Sequence, residues 1–343
     1  MRERVILITG ANGEVGHGLI EALSAMPDQL PIVALDIKRL ERPLRHLVKR
    51  TIIGDILNTE LLESLDTEFE IDTIYHLAAL LSTSSEFNPE GAHRVNVQGT
   101  INLLKLTVDQ GVMRGAPVKF MYASSIASYG VPDLETKEAA GSVTEDQYLN
   151  PVTMYGCNKL YCEHLGRYYA ERYRQLAASK AIGVDFRCVR FPGLISAMTV
   201  PTGGTSDYAP EMLHAAAQGK PYASFVRKDT TIPFMVMPDA IKALITLAQA
   251  PREKLSRYVY NVTSFSRSAE EFAKMVQSSF PGAQITFDPS DARQSIVDSW
   301  PAGLDDSAAR QDWAWSPDYD ADRAFHDYLA PTIVERYRET GEH

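Results

Sequence analysis

Apolar residues along this chain come in short, dense runs separated by stretches of helical spacing. Val5 to Thr9, Ile32 to Leu35, Thr51 to Ile53, Thr73 to Leu77, Lys119 to Ala123 and Val184 to Arg190 are brief, β-rich runs, and each predicts a strand. Between most of them the apolar positions repeat with a period near 3.6, and Gly91 to Gln110 and Val152 to Leu176 predict the longest helices. Strands that alternate with helices in this way predict an α/β protein built on a doubly wound parallel sheet with helices on both faces.

After Phe191-Pro192-Gly193 the rhythm breaks into Pro- and Gly-punctuated segments. Beyond them the pattern predicts a strand at Tyr258 to Val262, a helix near Ala269 to Ser279 and a strand at Gln284 to Phe287. We therefore expect a first domain over residues 1–190 and a smaller α/β lobe over 191–343, mainly for substrate, placed over the carboxyl edge of the sheet. The lobe's chain is free to return to the first domain.

Composition narrows the function classes. The 343 residues are 45% hydrophobic, which is enough for a large core and argues against global disorder. The net charge of -10 comes from acids spread along the chain, with no basic run to track a phosphate backbone, so nucleic acid is not an expected partner. The N-terminus offers only a short apolar strand, which fits neither a signal-peptide core nor a membrane span, and a cytoplasmic location is expected. Cys157, Cys162 and Cys188 lack metal-ligand spacing and read as reduced structural thiols. His76 and His164 have no second ligand at suitable spacing, so no metal is expected.

Candidate chemistry sits at the ends of the predicted strands, where open α/β sheets bind their ligands. Gly10-Ala-Asn-Gly13-Glu-Val-Gly16 follows the first strand and opens a helix, and Asp36 ends the second strand twenty residues after Gly16. Glycines there let backbone approach a pyrophosphate at a helix N-terminus, and the carboxylate accepts both hydroxyls of an adenine ribose. Because a 2'-phosphate would be repelled by that carboxylate, NAD is preferred to NADP even with Lys38 and Arg39 nearby. Asp55, His76 to Ala79 and Ser124-Ser125 should converge on the same edge.

Tyr155 and Lys159 stand four apart and share a helix face. A tyrosine with a pKa of about 10 is mostly the wrong species to take a proton near neutrality. One ammonium about 4 Å away, at an effective dielectric of about 20, favours phenolate by about 4 kcal/mol. Ser124-Ser125, at the end of the fifth strand, adds a hydroxyl for the reacting oxygen. Three groups then address one substrate alcohol, and the combination points to redox chemistry on a bound dinucleotide.

These residues, together with His76-Leu-Ala-Ala79 and Asn96, resemble the extended short-chain dehydrogenase/reductases, a Rossmann family that includes sugar-nucleotide epimerases and dehydratases. The pattern runs from about Val5 to Gly193. The resemblance implies that Ser125, Tyr155 and Lys159 form a catalytic triad with Tyr155 as general base; Ser125 stands four before Tyr129, as in the family's Ser-X-X-X-Tyr-Gly stretch. It places around the cofactor Gly10, Asn12, Gly13, Glu14, Val15, Gly16, Asp36, Ile37, Lys38, Asp55, Ile56, Leu77, Ala78, Ala79, Asn96 and Leu194, with Tyr155 and Lys159. It also implies a homodimer or higher homo-oligomer, for which the tyrosines 161, 168, 169 and 173 supply a helix stripe.

A narrower resemblance covers nearly the whole chain. Ala79-Leu-Leu-Ser82, Pro192-Gly-Leu-Ile-Ser196, Gly203-Gly-Thr-Ser-Asp207-Tyr-Ala, Ile232-Pro-Phe-Met-Val-Met-Pro-Asp239-Ala and Arg293-Gln-Ser-Ile-Val-Asp-Ser-Trp300-Pro are similar to blocks of the short-chain L-threonine 3-dehydrogenases. Ser206 departs from the second Thr of many relatives, and Gly111 to Pro117 and Leu176 to Gly183 look lengthened. The resemblance implies oxidation of L-threonine at C3 to 2-amino-3-oxobutyrate. For a small zwitterion, Ser82, Thr205 and Ser206 offer hydroxyls to a carboxylate and Asp207 an anion to an ammonium, with Ser124, Ser125 and Tyr155 at the alcohol. The Gly203 to Tyr208 loop, with its Gly-Gly pair as hinge, is expected to close over the substrate. The alternatives are a dehydrogenase of another L-3-hydroxy amino acid, a sugar-nucleotide epimerase or dehydratase, and a redox-sensing dinucleotide binder without turnover.

Overall fold

The computed structural model describes residues 2–177, 183–201 and 204–340. The chain divides into two compact units that exchange segments: Met1–Ser125, Met154–Arg190 and Ile241–Tyr260 form the first, and Ile126–Thr153, Phe191–Ala240 and Asn261–His343 the second. One of these crossings falls between Arg190 and Phe191. The others were not visible in the hydrophobic pattern.

The first unit is built on a seven-stranded sheet. Strands β1 (Glu3–Thr9), β2 (Ile32–Asp36), β3 (Arg50–Ile53), β4 (Phe69–His76) and β5 (Lys119–Ser125) are joined by Asp185–Phe191 and Val259–Asn261. From one edge to the other the order is Val259–Asn261, Asp185–Phe191, β5, β4, β1, β2, β3. The pairings of β1 with β2 and β4, of β2 with β3 and of β4 with β5 are all parallel. Reversal of strand order beside β1 makes the switch point at which α/β sheets hold ligands. Val5, Leu7, Val33, Leu35, Ile74, Phe120 and Phe186 are buried in one apolar cluster with residues of the helix Gly99–Arg114, which covers the sheet. The strand at Val259–Asn261, assigned to the lobe by its position in the chain, is instead an edge strand of this sheet.

Helix α1 (Glu14–Ser24) starts directly from the glycine turn, with Gly13 as its N-cap and no side-chain capping bond. The helix expected over Gly91 to Gln110 begins at Pro89, passes through a π-helical turn at Arg94–Gln98 and ends at Arg114 with Gly115 left-handed behind it. The Tyr155 helix is Met154–Glu171.

In the second unit, Thr231–Val236 is the middle of a three-stranded sheet, antiparallel to Phe265–Ser268 and parallel to Gly193–Ile195. Phe234 on that strand packs against Tyr208, Phe265 and Phe272. The helix Ala269–Ser279 has the predicted bounds, and Ser268 with Glu271 closes a capping box at its start. Ile285–Phe287 pairs in parallel with Tyr222–Ser224.

Candidate active site

The glycine turn has the features of a phosphate cradle. Gly10 takes a φ of +68, and a Cβ there would stand 2.5 Å from the Ala78 nitrogen, so only glycine fits. A Cβ at Gly16 would meet the Ala11 oxygen at 2.6 Å, which keeps α1 tight against the turn. At Gly13 the one near atom is the Gly10 oxygen at 3.3 Å, so this glycine leaves its face open to a ligand rather than to the protein. The N-terminus of α1 opens directly from this turn with no side-chain cap from Gly13, an arrangement suited to a pyrophosphate.

Asp36 stands at the end of β2, and its two carboxylate oxygens accept the Asn12 and Lys38 backbone N–H groups at 2.9 Å each. A carboxylate accepts about four hydrogen bonds, so room for two ribose hydroxyls remains. Asn12 braces the loop by accepting the Glu41 N–H at 3.0 Å. Ile37, next to Asp36, is 67% exposed, an apolar side chain set out for a flat base. These residues fit a dinucleotide. Asp55 caps its own turn by accepting the Leu57 N–H, whereas Ile56 is buried with its carbonyl bonded to Asn102.

The segment after β4 is held from below. Asn96 lies in the π-helical turn, and both ends of its amide bond the backbone of Leu80, at 2.8 and 3.0 Å. Asn96 thus fixes the backbone at Leu80, at the end of the strip from Leu77 through Ala78 and Ala79, and its amide keeps one N–H and one lone pair beyond these two bonds. His76 is buried between Thr9 and Thr100, at 2.9 Å from each hydroxyl. Thr100 donates its proton to the Asn96 carbonyl, which assigns Nε2 of His76 as a donor and Nδ1 as an acceptor from Thr9. Burial pushes the His76 pKa down to about 3, with the Lys159 charge adding to it, so this imidazole is a neutral strut.

At the end of β5 the sequence pair comes together. Lys159 is buried, and its Nζ donates to the Ala123 carbonyl at 2.6 Å, two residues before Ser125. The same ammonium lies 5.4 Å from the centroid of the Tyr155 ring and 4.8 Å from that of Tyr122. Tyr155, on the helix, and Ser125, the last residue of β5, are both half-buried. Ser124 has a different partner from the one expected: it is 3% exposed and its hydroxyl donates to Glu163 at 2.5 Å. Tyr129 is a core residue of the second unit, bonded to Asn261 at 2.7 Å.

Ser82 starts the short helix Ser82–Phe87 in the first unit. Leu194, Thr205, Ser206 and Asp207 belong to the second unit. Thr205 is buried, and the Asp207 carboxylate accepts the Gly204 N–H at 2.6 Å, so the acid closes its own loop. Gly203, the other half of the expected hinge, lies outside the described residues, as does most of the lengthened stretch from Leu176 to Gly183. Among the described residues no group of three or more His, Cys, Asp or Glu is placed to hold a metal ion, and no helix is long and apolar enough to cross a membrane. The sequence reading missed Glu163 and Arg190; the available signal was an acid one helical turn beyond Lys159.

A family model described as the NAD dependent epimerase/dehydratase family matches residues 6–263. The chain belongs to this family. It is 34% identical over 318 residues to the mitochondrial L-threonine 3-dehydrogenase of Bos taurus, covering 92% of this chain and 79% of the relative. An uncharacterized epimerase/dehydratase of Staphylococcus saprophyticus is 36% identical over 318 residues, 92% of each chain. Among solved structures, a monomeric L-threonine 3-dehydrogenase from a metagenome superposes with a TM-score of 0.84 at 35% identity, over 98% of this chain and 100% of that one. A nicotinamide cofactor is therefore expected of this epimerase/dehydratase family member, in agreement with its glycine turn and Asp36.

Proposed function

We propose that this chain oxidises L-threonine at C3 with NAD, giving 2-amino-3-oxobutyrate. The observation that carries the proposal is the placing of the Lys159 ammonium on the Ala123 carbonyl and beside the Tyr155 ring, at the strand end that leads into Ser125. Similarity to L-threonine 3-dehydrogenases over most of the chain supports the choice of substrate.

When bound, NAD accepts the hydride that leaves C3. The protein's own part is proton transfer and orientation. Ser125 hydrogen-bonds the C3 hydroxyl and Tyr155 takes its proton; Lys159, whose ammonium lies beside the Tyr155 ring, holds the nicotinamide ribose. Ser82, Thr205, Ser206 and Asp207 are the proposed contacts for the carboxylate and ammonium ends of the amino acid. The product is a β-keto acid that readily loses carbon dioxide. A homodimer through the exposed Tyr161 and Tyr168 and a cytoplasmic location belong to the same reading.

Purified protein with NAD and a panel of L-threonine, D-threonine, L-allo-threonine, L-serine and a bulky 3-hydroxy amino acid tests the proposal by absorbance at the reduced-nicotinamide band. Selective NADH formation with L-threonine is expected. Signal with none of the amino acids would overturn it, and preference for the bulky substrate would keep the chemistry while changing the substrate. NAD in place of NADP rests on Asp36. Asp36→Ser is expected to weaken NAD binding about tenfold, about 1.4 kcal/mol, while raising kcat/KM with NADP; unchanged selectivity would remove Asp36 from the ribose.

A further inference from the structure

A buried network behind the Tyr/Lys pair is not explained by cofactor or substrate contacts. Tyr155, Lys159 and Glu163 follow one another at four-residue steps on the helix Met154–Glu171 and share a face. Glu163 and Arg190 form an ion pair in which each side chain is 3% exposed. Arg190 donates from Nε to Oε1 at 2.8 Å and from Nη2 to Oε2, and the Ser124 hydroxyl donates to the same Oε1 at 2.5 Å. One turn earlier, Lys159 donates to the carbonyl of Ala123.

Two successive residues of β5, the last before Ser125, are thus fastened to two successive turns of the helix. Arg190 closes the clamp from Asp185–Phe191, the strand next to β5. Three donors satisfy a carboxylate that would otherwise be costly to bury. A buried ion pair of this kind is a poor source of net stability compared with apolar packing, whereas it fixes geometry when every donor is used. The parts that it fixes are those whose relative placement a proton transfer depends on.

We propose that Glu163, held by Arg190, is a positioning residue: through Ser124 it sets the Ser125 end of β5 against Tyr155 and Lys159. The role of the positioned groups rests on the dehydrogenase reading above. Neither Glu163 nor Arg190 is required to touch substrate or cofactor.

Ser124→Ala leaves the ion pair and removes only the fastening to β5, so it tests the clamp without burying a lone charge. Well below the melting temperature it is expected to lower kcat about tenfold to a hundredfold, with KM for L-threonine and Kd for NAD within about twofold of wild type. Ser124→Thr, which keeps a hydroxyl, should recover most of kcat. Glu163→Gln should lose at least as much, and adding Ser124→Ala to it should cost little more, because both break one fastening. Backbone amide exchange of the cofactor-free Ser124→Ala protein should speed up at 123–125 and 154–159 and stay unchanged in the helix Ala269–Ser279.

A Ser124→Ala enzyme with wild-type kcat would overturn the proposal, whatever its melting temperature. A loss confined to KM would also overturn it and mark Ser124 as a substrate contact. If the wild type fails to oxidise L-threonine, the reaction reading falls, and amide exchange then decides the clamp. Acceleration restricted to the two segments supports it; no acceleration there overturns it.

Discussion

Tyr155→Phe should lower kcat by about 10²- to 10⁴-fold, the range that a positioned general base contributes. The substitution removes one oxygen and keeps the ring, so the packing of the half-buried side chain and its 5.4 Å approach to the Lys159 ammonium are retained. Melting temperature and NAD affinity are accordingly expected to stay close to wild type. Steady-state turnover with L-threonine and NADH binding by fluorescence separate the two effects. Full activity in the variant would refute Tyr155 as the base. A loss of cofactor affinity of the same size would instead make it a binding residue.

Gly13→Ala is the second large effect, and it falls on the cofactor. Its Cβ would meet only the Gly10 oxygen, at 3.3 Å, a contact relieved by a small shift. The cofactor-free protein should therefore fold with little change in melting temperature. The methyl would, however, occupy the face presented to the pyrophosphate. An increase in Kd for NAD of about a hundredfold, about 2.8 kcal/mol, is expected by calorimetry. Gly10→Ala behaves differently, because its Cβ would collide with the Ala78 backbone at 2.5 Å from a left-handed residue. That variant should lose stability before binding is measured. Equal NAD affinity in Gly13→Ala and wild type would contradict the assignment of the turn.

The contrast between these glycines shows what was legible in the sequence. The motif Gly10-X-X-Gly13-X-X-Gly16, Asp36 and the Tyr155/Lys159 pair depend on spacing within one turn or one helix, and local spacing survives in the linear pattern. Six of the seven strands in the sheet of the first unit were readable for the same reason, each ending within a residue or two of its observed bound except at the start of β4. Thr231–Val236 was not, because Pro233 sits in its middle and removes a backbone donor that a central strand ordinarily uses. Val259–Asn261 has strand character, but no local feature tells that it joins the sheet of residues far earlier in the chain.

At the site, the division between Ser124 and Ser125 was equally hidden. Two adjacent serines at a strand end look alike in sequence, and the buried bond from the first of them to Glu163 spans 39 residues. Arg190 is a further 27 residues from that acid. A residue whose side chain bonds backbone, such as Asn96 with Leu80, has the same sequence signature as one that does not. Features defined by backbone shape, such as the glycine turn, were therefore easier to read than those defined by side-chain partners.

The central claim is hydride transfer from C3 of L-threonine to NAD, and L-threonine carrying deuterium at C3 tests it most directly. Mass spectrometry of the reduced cofactor is predicted to show one deuterium per NADH formed from the labelled substrate and none from unlabelled substrate in deuterated water. Reduced cofactor without label, or no reduced cofactor while Tyr155 and Lys159 are intact, would contradict the account.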